Sequence, residues 1–332
     1  MKILVAPLNW GLGHATRCIP LIQKLLSEGN EIIIASDGHP MELLKQEFPG
    51  LFFIEFSSYN ISYNKGKSQL TAMLRSIPII LSGIIREHHQ LKKIIREHQI
   101  EQVISDNRFG LWNKHIHSTY ITHQLMIKMP KGLQFLEPFV WLCHRFFINH
   151  FDECLIPDFK GKNNLSGDLS HQYPFPRKAR FIGPLSRFTA STTIITGDLL
   201  AYNFDTVAII SGPEPQRTLF EKQLIDRFRK CSEQVLIIRG LPAGQGANQI
   251  PKTTGNIQIL AHLDTAHFAY CLIKAKKISC RSGYSTIMDL HALNCLHKAE
   301  FSPTPGQTEQ EYLATYHEQK KRELSKQPPY VN

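Results

Sequence analysis

A histidine that follows a glycine-containing turn is the strongest candidate for proton transfer in the sequence. The turn Gly11–Gly13 follows the short apolar segment Lys2–Pro7 and leads into an amphipathic pattern, which predicts His14 at the start of a helix. A neutral imidazole is a competent general base near pH 7. Two other interpretations stay open: a turn needed only for packing, and a dinucleotide site with Asp37 on the ribose. Thr16 stands where the third glycine of the dinucleotide fingerprint would be.

A second candidate site lies between a predicted strand and a predicted helix, at Arg281–Thr286. Backbone N–H groups at a helix start, together with the helix dipole, suit a phosphate or diphosphate, and Arg281 can add a charge-assisted contact. Asp289, about one turn into that helix, can accept hydrogen bonds from ribose hydroxyls. The structural interpretation is that Ser285 or Thr286 only caps the helix and that Asp289 is solvated in its first turn.

Two further loops have the composition of ligand loops. Ser211 and Gly212 follow an apolar strand and form a candidate anion loop, although the prolines at 213 and 215 remove backbone donors there. The loop Pro303–Gln310 precedes a predicted helix and offers amides and a carboxylate to sugar hydroxyls. Either loop can equally be an ordinary connection between a strand and a helix.

Several functional classes are disfavoured by composition and spacing. The sequence lacks a P-loop and a GxSxG motif, and His115, His117 and His123 have no carboxylate or cysteine at metal-ligand spacing. We therefore expect no metal. Seven scattered cysteines indicate a reducing compartment and predict a cytoplasmic protein. The net charge of +10 favours phosphorylated ligands or an anionic membrane surface, and no aromatic-interleaved basic run supports nucleic-acid binding.

The elements that position these residues follow a strand–helix–strand pattern in each half of the 332-residue chain. Apolar strands are predicted at Lys2–Pro7, Glu31–Ala35, Thr206–Ile210 and Val235–Ile238, and one long helix at 68–98. Strands that are apolar on both faces are typical of parallel sheets covered by helices. The fold class is therefore α/β, with two Rossmann-like parallel-sheet domains facing a central cleft.

An aromatic-rich segment, 135–151, permits two interpretations. Its phenyl rings can lie on a membrane surface, or the segment can form a buried helix with Arg145 and His150 outward. The second interpretation is favoured here. The first would place the protein at the inner face of the cytoplasmic membrane, in peripheral contact with anionic lipid.

Taken together, these residues resemble the GT-B glycosyltransferases, in particular the family 28 group that transfers N-acetylglucosamine to a lipid-linked acceptor in cell-envelope synthesis. The resemblance spans most of the chain. The turn ending in His14 looks like the family's N-terminal glycine-rich turn, and Gly183–Arg187 is similar to the segment that closes its first domain. Arg281-x-Gly283-x-x-Thr286-x-x-Asp289 resembles its donor signature, with aspartate where the family usually has glutamate.

The resemblance implies an acceptor domain at 1–187 and a donor domain at 188–332, whose last helix can pack back on the first domain. It also implies inverting, metal-independent transfer of a hexose or N-acetylhexosamine from a UDP-sugar to a hydroxyl, with His14 as base and no cofactor beyond the nucleotide-sugar. Two rivals are a nucleotide-sugar epimerase of the same fold and a non-catalytic sugar-nucleotide-binding protein. The implied donor-binding residues are Arg187, Ser211, Gly212, Arg281, Gly283, Tyr284, Ser285, Thr286, Asp289, Gln307, Glu309 and Gln310. The implied acceptor-binding residues are Gly11, Gly13, Asp106, Asn107, His123 and Gln124.

Overall fold

The computed structural model describes residues 1–58, 69–188, 204–212, 214–241 and 252–326. The chain divides into two compact units, Met1–Leu185 and Ser186–Asn332. The first unit ends two residues before the predicted boundary at 187, because Ser186 and Arg187 both contact Asp289 of the second unit. The predicted packing of the last helix on the first domain stays a prediction.

The first unit is built on a parallel sheet of seven strands, in the order β3-β2-β1-β4-β5-β6-β7. Its strands are β1 (Lys2–Pro7), β2 (Glu31–Ser36), β3 (Phe52–Glu55), β4 (Gln102–Asp106), β5 (His117–Ile121), β6 (Glu153–Ile156) and β7 (Ala179–Phe181). Its helices are α1 (Leu12–Ser27), α2 (Gly38–Glu47), α3 (Gln69–His98), α4 (Glu137–Ile148) and the short α5 (Asp168–His171). The predicted long helix is α3, which contains Pro78.

Alternation along β1 shows that both faces of this sheet are covered. Ile3 and Val5 belong to one buried cluster with residues of α1, and Leu4 and Ala6 belong to another that includes Leu91 of α3. A continuous apolar strand is therefore explained by helices on both sides, as the sequence predicts.

The second unit contains a sheet of six strands in the order β10-β11-β9-β8-β12-β13, all parallel except for the β10–β11 pair. Its strands are β8 (Thr206–Ile209), β9 (Val235–Ile238), β10 (Lys252–Thr254), β11 (Ile257–Leu260), β12 (Lys277–Cys280) and β13 (Ala299–Phe301). Its helices are α6 (Gln216–Phe228), α7 (Thr265–Lys274), α8 (Tyr284–Ala292) and α9 (Thr308–Lys326). The prediction of two Rossmann-like parallel-sheet domains is confirmed.

Two local predictions are corrected. The sequence also predicts a short strand at 181–185; β7 instead ends at Phe181, although the amides of Ile182 and Gly183 still donate to the carbonyls of Ile156 and Asp158. Gly183 has a φ of 77°, which suits glycine and ends the strand. The stretch 297–301 is more polar in the sequence than a buried strand would be, but it contains the strand β13. It tolerates Glu300 because it is an edge strand, where one side of the ladder is unpaired.

In each sheet the strand order reverses direction at one central strand, because the chain adds strands first on one side of it and later on the other. In the first, successive connections from β1 run to β2 on one side and later to β4 on the other. In the second, β8 lies between β9 and β12 in the same way. Ligands of such sheets bind beyond the carboxyl ends of the strands at this reversal. The candidate residues after β1, β4, β8 and β12 follow these strand ends.

Candidate active site

Four side chains meet at the reversal point of the first sheet. His14 and Arg17 lie on the first turns of α1, directly after β1, and Asp106 is the last residue of β4. His123 follows β5, the next strand along the sheet. Pairing of β1 with β4 sets Pro7 opposite Asp106, which brings residues about ninety positions apart in the sequence to one place.

The carboxylate of Asp106 is the centre of this cluster. His14 Nδ1 lies 3.0 Å from Asp106 Oδ1. Arg17 donates from Nε to Asp106 Oδ2 at 2.7 Å and from Nη2 to Asp106 Oδ1. Asp106 is fully buried, so a carboxylate here needs the bidentate cation. Asp106 is predicted at the acceptor site; in the structure its oxygens contact His14 and Arg17.

Arg17 also contacts both histidines. Its Nη1 lies 3.1 Å from His123 Nδ1, and its Nη2 lies 2.9 Å from His14 Nδ1. A guanidinium only donates, so His123 Nδ1 accepts and the proton of His123 sits on Nε2. His14 Nδ1 faces both an acceptor, Asp106 Oδ1, and a donor, Arg17 Nη2, so these two contacts alone admit either tautomer. In the tautomer with its proton on Nδ1, directed at Asp106, the lone pair of Nε2 is available.

Burial and charge keep His14 neutral and Asp106 ionised. Burial lowers the pKa of His14 below its usual value, and the charge of Arg17 lowers it further, against the opposing effect of Asp106. Burial alone would raise the pKa of Asp106, but the charges of Arg17 and His14 and their hydrogen bonds outweigh it, so the pKa lies well below its usual range. The site therefore holds a neutral imidazole next to an ionised carboxylate. The His14 side chain is 13% exposed. This arrangement can remove a proton from a hydroxyl.

The other predicted acceptor residues follow the same strand ends. Gly11, with a φ of 91°, precedes α1, and Gly13 accepts a hydrogen bond from Thr16 at its carbonyl. Asn107 has a φ of 61°, and its side-chain oxygen accepts from the Tyr120 hydroxyl at 3.1 Å. Gln124 is half-buried one residue after His123. Their contact with an acceptor stays a prediction.

Arg281 has a different environment from the one that the sequence predicts. Its side chain is only 3% exposed, and its guanidinium donates to the carbonyls of Ser302, Pro303 and Gln216 at 2.9–3.2 Å. It also lies over the Phe220 ring, 4.0 Å from the centroid. These contacts tie the end of β12 to neighbouring loops, so Arg281 shapes the candidate donor loop, and its predicted phosphate contact remains untested.

The start of α8 lies directly after this arginine. Gly283 is the N-terminal cap residue, Tyr284 is buried, and Ser285 and Thr286 are half-buried in the first turn. The first N–H groups of a helix lack intrahelical acceptors, and the dipole favours an anion there. The helix predicted after Arg281 is present, and a phosphate contact at its start stays a prediction.

The carboxylate of Asp289, the predicted ribose ligand, contacts the first two residues of its own unit. Ser186 donates to Asp289 Oδ1 at 2.6 Å, and Arg187 Nε lies 3.7 Å from Oδ2. Burial raises the pKa of Asp289, against the opposing effect of Arg187. The Arg187 guanidinium also lies over the Phe188 and Phe268 rings. Asp289 thus holds Arg187 in place within the candidate donor site; a ribose contact stays a prediction.

The loop after β8 carries Ser211 and Gly212, both half-buried, with Gly212 at a φ of 103°. Pro213, which the sequence analysis singles out, lies outside the described residues. Glu214 accepts hydrogen bonds from the N–H and the hydroxyl of Thr218 at 3.2 and 2.8 Å. A carboxylate of the chain itself thereby occupies the first turn of α6.

The loop before α9 meets the Arg281 loop. Ser282 donates to the carbonyl of Gln310 at 2.7 Å, and the side-chain oxygen of Gln310 accepts from the Thr304 amide at 2.8 Å. Gln307 and Glu309 are half-buried beside them. The structure therefore brings two predicted donor segments together, while the side chain of Gln310 shapes the loop.

Arg17 is the site residue that the sequence analysis misses. Its signal is its position three residues after His14, which places both on one face of α1. A charged residue on the helix face that packs on the sheet indicates a buried pair.

Within the described ranges, no group of three histidine, cysteine, aspartate or glutamate side chains is arranged to hold a metal ion. No helix in the described part of the chain is long and apolar enough to cross a membrane.

Comparison with known proteins supports the fold and gives one related sequence. No family model matches the chain. A Methanosarcina acetivorans protein described as an uncharacterized glycosyltransferase is 29% identical over 115 residues, which cover 33% of this chain and 28% of that protein. The match thus spans well under half of either protein.

Solved structures resemble nearly the whole chain. The spinosyn rhamnosyltransferase SpnG has a TM-score of 0.57 at 12% identity, covering 98% of this chain and 90% of its own. A Listeria monocytogenes protein provisionally assigned as a UDP-N-acetylglucosamine 2-epimerase has a TM-score of 0.51 at 11% identity, covering the same shares. Likeness at this identity shows the fold alone, and the GT-B architecture predicted from the sequence is confirmed at that level.

Proposed function

We propose that this protein is an inverting, metal-independent glycosyltransferase that moves a hexose or N-acetylhexosamine from a UDP-sugar to an acceptor hydroxyl. The observation that carries the proposal is the contact of the neutral His14 with Asp106 at the reversal point of the first sheet. The fold and the partial glycosyltransferase relative support it. UDP as the nucleotide rests on the family resemblance and on the substrate in the name of the Listeria protein.

The proposed chemistry uses His14 as general base. Nε2 of His14 takes the proton of the acceptor hydroxyl, and the oxygen attacks the anomeric carbon opposite the leaving group. The bond from that carbon to the diphosphate oxygen breaks, its electron pair leaves with UDP, and the anomeric configuration inverts. The ionised Asp106 accepts a hydrogen bond from Nδ1–H of His14 and stabilises the imidazolium that forms; it does not take up the proton itself.

Donor binding is proposed for the second unit. The N–H groups near Ser285 and Thr286 at the start of α8, with Arg187, are suited to the charge that develops on the diphosphate. In this proposal, contacts of Arg281 and Gln310 with backbone carbonyls and amides hold the loop after β12 against the loop before α9.

A thermal-shift panel tests donor binding. We expect UDP and one UDP-sugar to raise the melting temperature, because a ligand at about 100 times its Kd adds roughly 2.7 kcal/mol of stability. GDP, dTDP, ADP and NADH at the same concentration serve as controls. Stabilisation by NADH alone would favour the dinucleotide interpretation of the glycine turn, and no shift with any nucleotide would contradict donor binding.

We further propose that the acceptor is lipid-linked and that α4 contacts an anionic membrane. Four apolar side chains of α4 and of the 3₁₀ turn that precedes it, here called the α4 apolar face, are 53–74% exposed: Phe135 in the turn, and Phe139, Leu142 and Phe146 in the helix. This corrects the favoured expectation of a buried aromatic helix. The opposite face of α4 is anchored, since His144 and Ile148 are buried and Glu137 accepts from the Met129 amide.

The charged residues near the α4 apolar face support its contact with an anionic lipid surface. Between 127 and 150 the one carboxylate, Glu137, is buried, whereas Lys131 is exposed and Arg145 is half-buried. Exposed phenyl rings beside cations are typical of interfacial helices on anionic lipid.

Replacing Phe139 and Phe146 by serine is expected to reduce co-sedimentation with phosphatidylglycerol-containing vesicles at least about fivefold, because about half of the inserted apolar area is lost. Phe52→Ser, which alters a phenylalanine that is 56% exposed on β3, is the matched control and is expected to retain binding. Absence of wild-type binding to both anionic and neutral vesicles would contradict membrane contact.

A further inference from the structure

The guanidinium of Arg17 is shared between the proposed base and its carboxylate. Arg17 is 2% exposed, and its Nη2 faces His14 Nδ1 and Asp106 Oδ1 together. Ala15, Cys18 and Ile19 pack α1 on the sheet, whereas Arg17 on the same helix directs its charge at His14 and Asp106. Its position makes its charge part of the proton equilibrium of His14.

We propose that Arg17 is a positioning residue that sets the pH range in which His14 works as the base: its fork fixes Asp106 against the imidazole, and its charge disfavours the imidazolium. This inference rests on the proposed function of His14.

The charged and titratable groups that face His14 are few among the described residues. Arg17 comes from α1, Asp106 from the end of β4, and His123 from the segment after β5. Cys18 of α1 donates from Sγ to Asp106 Oδ2 at 3.4 Å, and burial raises the pKa of this thiol. Cys18 is thus neutral, and the largest charge effects on His14 come from Arg17 and Asp106, with a smaller one from His123.

The sign of the effect follows from the balance of these charges. The positive charge of Arg17 offsets the negative charge of Asp106. Burial therefore has a larger effect on the pKa of His14 than the carboxylate has. Removing the arginine leaves an uncompensated carboxylate beside His14, which favours the imidazolium. Removing the carboxylate leaves the cation, which disfavours it. The two substitutions must therefore move the titration of His14 in opposite directions.

The test combines pH–rate profiles with histidine NMR titrations of the full chain. For Arg17→Met, we expect His14 to titrate at higher pH and the ratio of the transfer rate at pH 6 to that at pH 8 to fall about three- to fivefold, as for a shift of about one unit in a base that is largely neutral at pH 6. For Asp106→Asn, we expect His14 to titrate at lower pH. Arg17→Lys keeps the charge but loses the fork, so its rate should fall by a similar factor at every pH.

Controls separate this role from general damage. Arg86→Met removes an exposed arginine of α3 and is expected to leave the His14 titration unchanged. If Arg17→Met does not fold, the same comparison is made in the Asp106→Asn background. In that background, removal of the arginine leaves no buried carboxylate without its cation. There, adding Arg17→Met should again move the His14 titration to higher pH.

Failure of this inference is distinguishable from failure of the proposed function. An unchanged NMR titration of His14 in Arg17→Met, with a rate loss equal at all pH values, would overturn the role of Arg17 even if transfer is observed. Opposite NMR shifts in a protein that transfers no sugar would support the Arg17 role and contradict the transferase instead.

Discussion

His14→Ala is expected to lower the rate of sugar transfer by about 10²–10⁴, the usual contribution of a general base. The loss should appear in kcat, because the imidazole acts on the acceptor hydroxyl during the reaction. UDP binding should be unchanged, since His14 lies in the first unit and the proposed donor groups lie in the second. Transfer of label from a UDP-sugar to a total lipid extract gives the rate, and calorimetry with UDP gives the binding constant.

His39→Ala is the matched control for this substitution. His39 is an exposed histidine of α2 whose Nδ1 lies 3.1 Å from Glu42 Oε2 on the same helix. Its replacement should leave the rate within about twofold, because surface substitutions away from a site have small effects. Wild-type turnover in His14→Ala would exclude His14 as the base.

Glu87→Ala is expected to have the largest effect on stability, a loss of about 3–5 kcal/mol in the free energy of unfolding of the first unit. Glu87 Oε1 accepts from Arg108 Nε at 2.9 Å, and Oε2 accepts from the Gly110 amide at 3.2 Å. Both side chains are almost completely buried. Alanine at 87 therefore leaves a buried guanidinium without its anion.

Urea unfolding measures this loss, with Glu97→Ala as the control. Glu97 lies on the same helix, but its pair with Lys93 spans 3.6 Å at the surface, so its removal should cost at most about 0.5 kcal/mol. Replacing Glu87 and Arg108 together by methionine should recover much of the stability, because no lone charge remains. A loss below about 1 kcal/mol in Glu87→Ala would contradict a buried pair.

The sequence predicts the features of this fold that are encoded locally. The apolar runs of β1 and β8, the glycines that follow them and the amphipathic α1 each lie within one short window, so periodicity identifies them. Placing His14 at a strand end follows from the same window.

The contacts of the site depend on strand order, which local patterns do not contain. Asp106 meets His14 because β4 pairs with β1, and Arg17 becomes a site residue only through that pairing. For the same reason, Arg281 looks like a phosphate ligand in the sequence, whereas its partners are backbone carbonyls about twenty residues later and one that lies 65 residues earlier. An arginine that binds a ligand and one that binds backbone have the same local signal.

The orientation of α4 illustrates a different limit. Its apolar residues are numerous on both faces, so periodicity does not indicate which face packs on the sheet. His144 and Glu137 lie on the buried face, where His144 packs edge-on to the Phe109 ring and burial lowers the pKa of His144 to about 4. The phenyl rings of Phe139 and Phe146 are consequently left exposed.

Analysis of the products formed from a UDP-sugar tests the central claim most directly. The purified full chain is incubated with UDP-N-acetylglucosamine or UDP-glucose, with and without a total lipid extract. We expect UDP and a glycosylated lipid of inverted anomeric configuration only when the extract is present. An isomerised UDP-sugar formed from donor alone would identify an epimerase, and unchanged donor that nevertheless binds would identify a non-catalytic sugar-nucleotide-binding protein; either result would contradict the transferase.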